Sequence, residues 1–218
     1  MPRMLVVVVL LSASLLPLSA LASAPIPPCG LDVTLPDYID VVGRGPDGQP
    51  DTLRGAFVVV VRDCFGDPVA DASIYVDFGA CFDIVLDRRQ MAPLIADCSR
   101  NVVWRKTGAD GRAKFCIVGA GRNQGAGAGA GAQGVIIYVS GLGMGRPTAT
   151  VADQNGAVTN PGVELTDLTA WLRDWGSGTY YGRSDYDHDG AVLLPDLAVL
   201  LRVWGAGSSG SGPIDICP

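Results

Sequence analysis

A duplicated segment near the C-terminus constrains the fold more than any other feature. Residues 162–176, GVELTDLTAWLRDWG, align without gaps on residues 191–205, AVLLPDLAVLLRVWG, at an offset of 29 residues. In each copy the apolar residues follow the i, i+3, i+4, i+7 spacing of one helix face. These residues are Leu168, Trp171, Leu172 and Trp175 in the first copy, and Leu197, Leu200, Leu201 and Trp204 in the second. The duplication therefore predicts two equivalent helices that pack against each other.

Alternating acidic residues precede the second helix. Counted from Asp185 as loop position 1, the ligand positions that follow are Asp187 at 3, Asp189 at 5, Ala191 at 7 and Asp196 at 12, and Gly190 stands at position 6, where glycine permits the sharp turn. This is the spacing of a calcium-binding EF-hand loop, with Asp replacing the usual Glu at the last position. The predicted calcium ligands are the carboxylates of Asp185, Asp187, Asp189 and Asp196 and the backbone carbonyl of Ala191. The alternative interpretation is an acidic turn that binds no calcium.

The first copy lacks most of these ligands. The ungapped alignment places Gly156, Val158 and Asn160 at the first three ligand positions and retains only Asp167. An insertion in the loop would instead supply Asp153 and Asn155 as early ligands. Whether the first copy binds calcium stays open at the level of sequence.

Residues before about position 150 predict β-strands. Short apolar or alternating runs are separated by turn-forming residues, which is typical of an all-β sandwich. The runs are residues 55–62, 72–78, 101–107, 112–118, 134–141 and 146–152. In residues 72–78 the set Ile74, Val76 and Phe78 alternates with Tyr75 and Asp77, which predicts that one set faces the core. Residues 108–111, GADG, are typical of a hairpin turn. Residues 119–134, GAGRNQGAGAGAGAQG, have almost no side chains to bury and predict a mobile loop.

The strand region carries a recognisable pattern of turns and strands. It consists of VRD at 61–63, GDPV at 66–69, ASIYV at 72–76 and TGADGRAKF at 107–115. This pattern resembles the bacterial immunoglobulin-like domains of the invasin and intimin kind. The resemblance implies an immunoglobulin-like β-sandwich over residues 23–150 and a role as a spacer, stalk or adhesive module.

The C-terminal region, residues 151–206, resembles a type I dockerin, because it is a repeated loop and exit helix with no entering helix. The family's calcium ligands carry over to the loop residues named above. Dockerins bind cohesin domains, and loop positions 10 and 11 help to select the partner. Those positions are Leu165 and Thr166 in the first copy and Leu194 and Pro195 in the second, without the hydroxyl pair common in the family. The expected fold is thus mostly β, an immunoglobulin-like β-sandwich followed by a small α-helical dockerin-like module.

The N-terminus predicts a signal peptide, residues 1–22. Arg3 supplies positive charge, residues 5–18 are almost wholly apolar, and Ala20 and Ala22 occupy the small-residue positions before a cleavage site. The alternative, an uncleaved membrane anchor, is disfavoured because the apolar run is shorter than the ~20 residues of a spanning helix. We therefore expect a protein secreted to the cell surface or medium, free of the membrane after cleavage, with residues 207–218 as a tail.

All six cysteines follow the predicted signal peptide, and an even number in an exported chain predicts disulfides. Cys81 and Cys98 are the favoured pair, because closing a loop of this length stabilises a fold by about 3 kcal/mol. Cys217 could fix the C-terminus to the body or form an intermolecular bridge. No CxxC spacing supports a metal site built from cysteines.

Charge and residue content narrow the function. Without the signal peptide the chain has 15 Lys and Arg residues against 22 Asp and Glu residues, a net charge of −7, which disfavours nucleic acid and favours cations as ligands. The single histidine, His188, lies in the acidic loop, and the single glutamate, Glu164, lies in the helical repeat. A histidine-based triad is therefore not expected.

We expect a non-catalytic protein whose calcium stabilises the dockerin-like module and which acts in extracellular or cell-surface protein assembly. A cohesin-like or other surface protein is the expected partner. The alternative is a polysaccharide-binding component that docks to a cohesin. Tyr75, Trp104 and Tyr138 are too few and too scattered along the sequence to predict a polysaccharide-binding face.

Overall fold

A computed structural model of the protein describes residues 26–27, 29–44, 48–122, 134–154, 162–204 and 215–217. The predicted signal peptide lies outside these residues, as do residues 123–133 of the Gly- and Ala-rich segment and most of the predicted C-terminal tail. Within the described residues the chain is mostly β, as predicted.

Twelve strands and three helices are described. The strands are β1 (Leu31–Thr34), β2 (Tyr38–Val41), β3 (Ala56–Asp63), β4 (Ser73–Asp77), β5 (Ile84–Leu86), β6 (Ile95–Asp97), β7 (Val102–Lys106), β8 (Arg112–Cys116), β9 (Gly119–Gly121), β10 (Ile136–Val139), β11 (Leu142–Gly145) and β12 (Thr148–Val151). The helices are α1 (Thr52–Gly55), α2 (Leu165–Gly176) and α3 (Leu194–Val203), and a 3₁₀ turn spans Gly182–Ser184.

The strands form what we call the β body, which contains four sheets. A five-stranded sheet has the order β11-β10-β4-β7-β6 and a three-stranded sheet the order β1-β3-β8, both antiparallel. β12 pairs with β2 in parallel, and β5 pairs with β9. The inward-facing side chains of both larger sheets share one core, with Val59 and Phe115 from one and Ile74 and Val103 from the other. The predicted alternation along β4 is confirmed, since Ile74 and Val76 are fully buried and Tyr75 is not.

The turn at residues 108–111 does not close a hairpin, contrary to the sequence prediction. β7 pairs with β4 and β6, whereas β8 pairs with β3 in the other sheet. The turn therefore carries the chain from one sheet to the other. The Val61 N–H donates to the carbonyl oxygen of Gly111 at 2.8 Å, and this bond draws the following strand onto β3.

The start of the Gly- and Ala-rich segment is ordered, so the prediction of a mobile loop beginning at residue 119 is wrong there. Residues 119–121 form β9, which is buried against β5. A Cβ at Gly119 would lie 2.4 Å from the carbonyl oxygen of Val85, and a Cβ at Gly121 would lie 2.3 Å from that of Gln154. These two glycines thus permit close backbone packing.

The disulfides differ from the predicted pairing of Cys81 with Cys98. Cys98 bonds to Cys217, and a second disulfide joins Cys29 to Cys64. Cys81 and Cys116 are buried, and neither belongs to the two disulfides of the described residues.

The reason for this pairing is the return of the C-terminus to the β body. Ile216 forms a β-bridge with Asp87, and the Cys217 N–H donates to the carbonyl oxygen of Leu86 at 2.9 Å. This places Cys217 beside Cys98, a proximity that loop length along the sequence could not indicate.

The two helices have a separate small core. Trp171 of α2 and Leu200 of α3 are fully buried in a cluster with Val163 and Tyr186. Leu168 and Leu197 pack at its margin. The remaining four residues of the predicted faces are more than a third exposed: Leu172, Trp175, Leu201 and Trp204. The prediction that whole matching faces pack together is therefore only partly correct.

Candidate metal site

The acidic loop brings three of its predicted ligands together. Asp185, Asp187 and Asp189 each place a carboxylate oxygen within 4.8 Å of those of the other two. Asp185 is buried, whereas the other two are exposed to solvent. Gly190 has a positive φ of 90°, which favours glycine and turns the chain towards α3. We call these three aspartates the Asp triplet.

Backbone hydrogen bonds fold the loop around the buried carboxylate. Asp185 accepts a hydrogen bond from the Asp189 N–H at 3.2 Å and another from the Gly190 N–H at 3.0 Å. The Tyr180 hydroxyl also donates to Asp185, at 2.8 Å. Burial, with Asp185 nearby, raises the pKa of Tyr180, so the phenol stays protonated as a donor. The Ala191 N–H donates to Asp189 at 2.9 Å.

The structure does not bring Asp196 into the Asp triplet. Its fully buried carboxylate accepts hydrogen bonds from the N–H groups of Tyr186 at 2.6 Å, Asp187 at 3.1 Å and Leu193 at 2.7 Å. Because Leu193 precedes α3, Asp196 caps the N-terminus of this helix and ties it to the loop. An Asp side chain is one methylene shorter than the Glu usual at this position, and here it binds amides.

Asp167 of the first copy has the same role. It accepts hydrogen bonds from the Glu164 N–H at 2.8 Å and the Gln154 N–H at 2.6 Å. Asp153 accepts one from the Gly162 N–H at 2.8 Å, much as Asp185 does from a glycine in the second loop. The insertion considered from the sequence is therefore the better structural alignment. Residues 155–161, which include the other candidate ligands of the first copy, lie outside the described residues.

Arg183 joins the helical region, residues 152–154 and 162–204, to the β body. The Arg183 guanidinium donates two hydrogen bonds to Asp174 of α2, at 2.8 and 2.9 Å, and one to Asp83, which precedes β5, at 3.3 Å. All three side chains are buried. Burial raises the pKa of Asp83, although the charge of Arg183 acts against this rise. We call these residues the Arg183 triad.

The acidic loop itself rests on β2. The ring of His188 stacks on that of Tyr38, with centroids 3.6 Å apart, and its Nε2 lies 3.4 Å from Asp40. Arg54 lies 3.7 Å from Asp40 and its guanidinium covers the ring of Tyr186. Burial acts to raise the pKa of Asp40, but the hydrogen bond from His188 and the charge of Arg54 hold it below its ordinary value. The single histidine is therefore part of the contact between loop and β body.

The predicted partner-binding residues lie on the surface. Leu165 and Thr166 begin α2, Leu194 and Pro195 begin α3, and all four are exposed.

Further apolar residues along each helix are also exposed. Leu165, Leu172 and Trp175 of α2 match, position for position, Leu194 and Leu201 of α3 and Trp204, which directly follows α3. These six residues are 36–67% exposed. We call these two sets the helical stripes. The repeat in the sequence predicts core positions for Leu172, Trp175, Leu201 and Trp204. Helical periodicity shows which residues share one face of a helix, but it does not show how much of that face the rest of the protein buries.

None of the helices among the described residues is both long and apolar enough to cross a membrane. Comparison of the chain with protein-family models, curated proteins and solved structures found no match.

Proposed function

We propose that this is a secreted, non-catalytic, calcium-binding protein that attaches to other proteins outside the cell or at its surface. In this proposal the β body is an immunoglobulin-like sandwich and the helical region is a dockerin-like module. Calcium has a structural role and takes part in no reaction. The partner is a cohesin-like or other surface protein.

The observation that carries the proposal is the Asp triplet at loop positions 1, 3 and 5, with a glycine at position 6 before a helix. Three carboxylates this close repel one another, and a divalent cation would offset the repulsion. Calcium, when bound, would supply positive charge that holds the three carboxylates together in the loop before α3. Asp185, Asp187 and Asp189 would hold it, while Asp196 holds the loop amides to the helix.

The helical stripes support attachment to a protein partner. They expose leucine and tryptophan side chains at matching positions of two helices, and exposed apolar surface of this kind is typical of interaction sites. Leu165 and Leu194 are the most exposed members and stand where the family resemblance places partner contacts. A calcium ion that fixes the loop before α3 would also fix the orientation of its stripe.

Calcium titration by calorimetry on residues 23–218 tests the metal site. We expect one dominant site, and at a calcium concentration of 100 Kd a stabilisation of about 2.7 kcal/mol. The variants Asp185→Ala and Asp189→Ala should bind at least about tenfold more weakly. Asp32→Ala, which removes an exposed aspartate on β1, is the matched control and should bind normally. Absence of binding at millimolar calcium would refute the metal site.

The docking surface needs a separate measurement. Leu165→Glu and Leu194→Glu place charge on the helical stripes without altering the Asp triplet. With purified cohesin domains as the probe, we expect binding by the parent protein and loss of binding when both substitutions are combined. Calcium affinity should stay unchanged. A parent protein that binds calcium but no cohesin would refute the proposed cohesin partner while leaving the metal site intact.

A further inference from the structure

The outer face of the five-stranded sheet carries a row of aromatic side chains that are far apart in sequence. Tyr138 of β10 pairs with Tyr75 of β4, and Tyr75 pairs with Trp104 of β7. Ile95 of the edge strand β6 pairs with Trp104 and is exposed. Because neighbouring strands lie about 4.8 Å apart, the three rings extend over about 10 Å. We call Tyr138, Tyr75 and Trp104 the aromatic row.

These rings face away from the core. Ile74, Val76 and Val103, which alternate with them along the strands, are fully buried on the opposite side of the sheet. The rings of Tyr75 and Trp104 have centroids 5.7 Å apart and planes within 26° of each other. The contacts described above between the helical region and the rest of the protein are made with α1, β2, β9, β12 and the segment before β5, none of which belongs to this sheet.

One end of the aromatic row opens into a cavity of about 340 Å³. Its lining includes Tyr138, Met144 and Arg146. Gly143 pairs with Tyr138 across the strands and has no side chain to cover the ring; a Cβ there would lie 3.6 Å from the Tyr138 Cε1 atom. The glycine therefore leaves one edge of the tyrosine accessible from β11.

The polar groups around the row indicate the kind of ligand. Asp77 and Lys106 lie two residues from Tyr75 and Trp104 along their strands, and so on the same face, while Arg146 lines the cavity. The face thus combines rings with charged groups of both signs. The acidic chain as a whole disfavours polyanions.

We propose that the aromatic row binds a neutral polysaccharide chain. The pyranose rings of such a chain present apolar C–H groups on their faces and hydroxyl groups at their edges. The C–H groups would pack on the aromatic row, and the hydroxyl groups would meet Asp77, Lys106 and Arg146. The proposal is independent of calcium and of the helical stripes.

Adsorption of residues 23–218 to insoluble polysaccharides tests this site. The neutral probes are microcrystalline cellulose and chitin, and the anionic probe is polygalacturonate. Calorimetry with soluble oligosaccharides of whichever polysaccharide binds then measures the affinity. Binding to a neutral chain is expected to weaken at least about tenfold in Trp104→Ala. Gly143→Glu should weaken it similarly, because it sets a carboxylate beside Tyr138 while keeping every aromatic residue.

Two controls separate this site from other surfaces. Phe65→Ala removes an exposed aromatic residue from the turn after β3, and Leu165→Glu alters a helical stripe. Both should adsorb like the parent protein. Thermal melts of all variants show whether each one is folded.

Three results would overturn the proposal. They are failure to adsorb to either neutral polysaccharide, equal adsorption by the parent, Trp104→Ala and Gly143→Glu proteins, and preference for polygalacturonate. A parent protein that is dimeric, and becomes monomeric in Trp104→Ala, would instead place the aromatic row between two copies of the chain.

Discussion

Replacing Arg183 with methionine is expected to destabilise the whole protein. The substitution keeps a long side chain but removes three hydrogen bonds, and it leaves Asp83 and Asp174 buried without a counter-charge. Removing one partner from a buried ion pair costs about 3–5 kcal/mol in the free energy of unfolding. For a chain of this size the loss corresponds to a melting temperature lower by about 6–20 °C.

The loss of unfolding free energy caused by Arg183→Met should become smaller as the pH falls. Burial raises the pKa of Asp83 in the native protein, and Arg183 opposes that rise. Without Arg183 the pKa of Asp83 rises further. A carboxyl group whose pKa is higher in the folded than in the unfolded state takes up a proton more readily when folded, so lowering the pH stabilises the fold. The difference in unfolding free energy between Arg183→Met and the parent protein should therefore narrow as the pH is lowered from neutrality towards the ordinary pKa of an aspartate.

Urea unfolding, followed by circular dichroism at the helical band and by tryptophan fluorescence, measures the effect. The matched control is Arg100→Met, because Arg100 forms an exposed ion pair with Asp97 at 3.4 Å, and solvent screening makes such pairs contribute little to stability. Coincident transitions are expected in the parent, since the Arg183 triad and the Cys98–Cys217 disulfide join the helices to the β body. Two results would refute this reasoning. One is a loss of unfolding free energy in Arg183→Met that is no larger than the loss in Arg100→Met. The other is a loss in Arg183→Met that grows as the pH falls.

Two further predictions concern the cores. Trp171→Ala should lower the free energy of unfolding by about 3–5 kcal/mol, and Trp175→Ala by less than half as much, because only Trp171 is fully buried. Urea unfolding measures both losses, and equal losses would contradict the described helix packing. The thiols of Cys81 and Cys116 should react with a thiol reagent only after unfolding, since both side chains are buried. Burial raises the pKa of both thiols, that of Cys116 to about 11. Peptide mapping that found Cys81 linked to Cys98 would contradict the described disulfides.

Local periodicity made several elements predictable from sequence. The two-residue alternation of Ile74 and Val76 placed β4 with its correct inner face, and the repeat at an offset of 29 residues placed α2 and α3. The spacing of Asp185, Asp187 and Asp189 predicted that their carboxylates would meet. These features depend on residues within one strand, one helix or one loop, where the backbone geometry is regular enough to relate spacing to position.

Contacts between distant residues could not be obtained in this way. Tyr75, Trp104 and Tyr138 form one row only because β4 lies between β7 and β10, and a shift of one residue in either pairing would turn side chains to the opposite face. The two-residue period gives the face of each strand but neither its neighbours nor its register.

The same distinction applies to the cysteines, to the glycines and to the acidic loop. Cys98 bonds to Cys217 because the C-terminus returns to β5, and Gly121 is required by the approach of a distant carbonyl. Asp196 occupies a ligand position in the sequence, yet its carboxylate binds the amides that the folded loop brings to it. The sequence by itself determined the local elements and the Asp triplet. Only the tertiary structure decided their partners, because those depend on chain segments that meet through strand pairing and core packing.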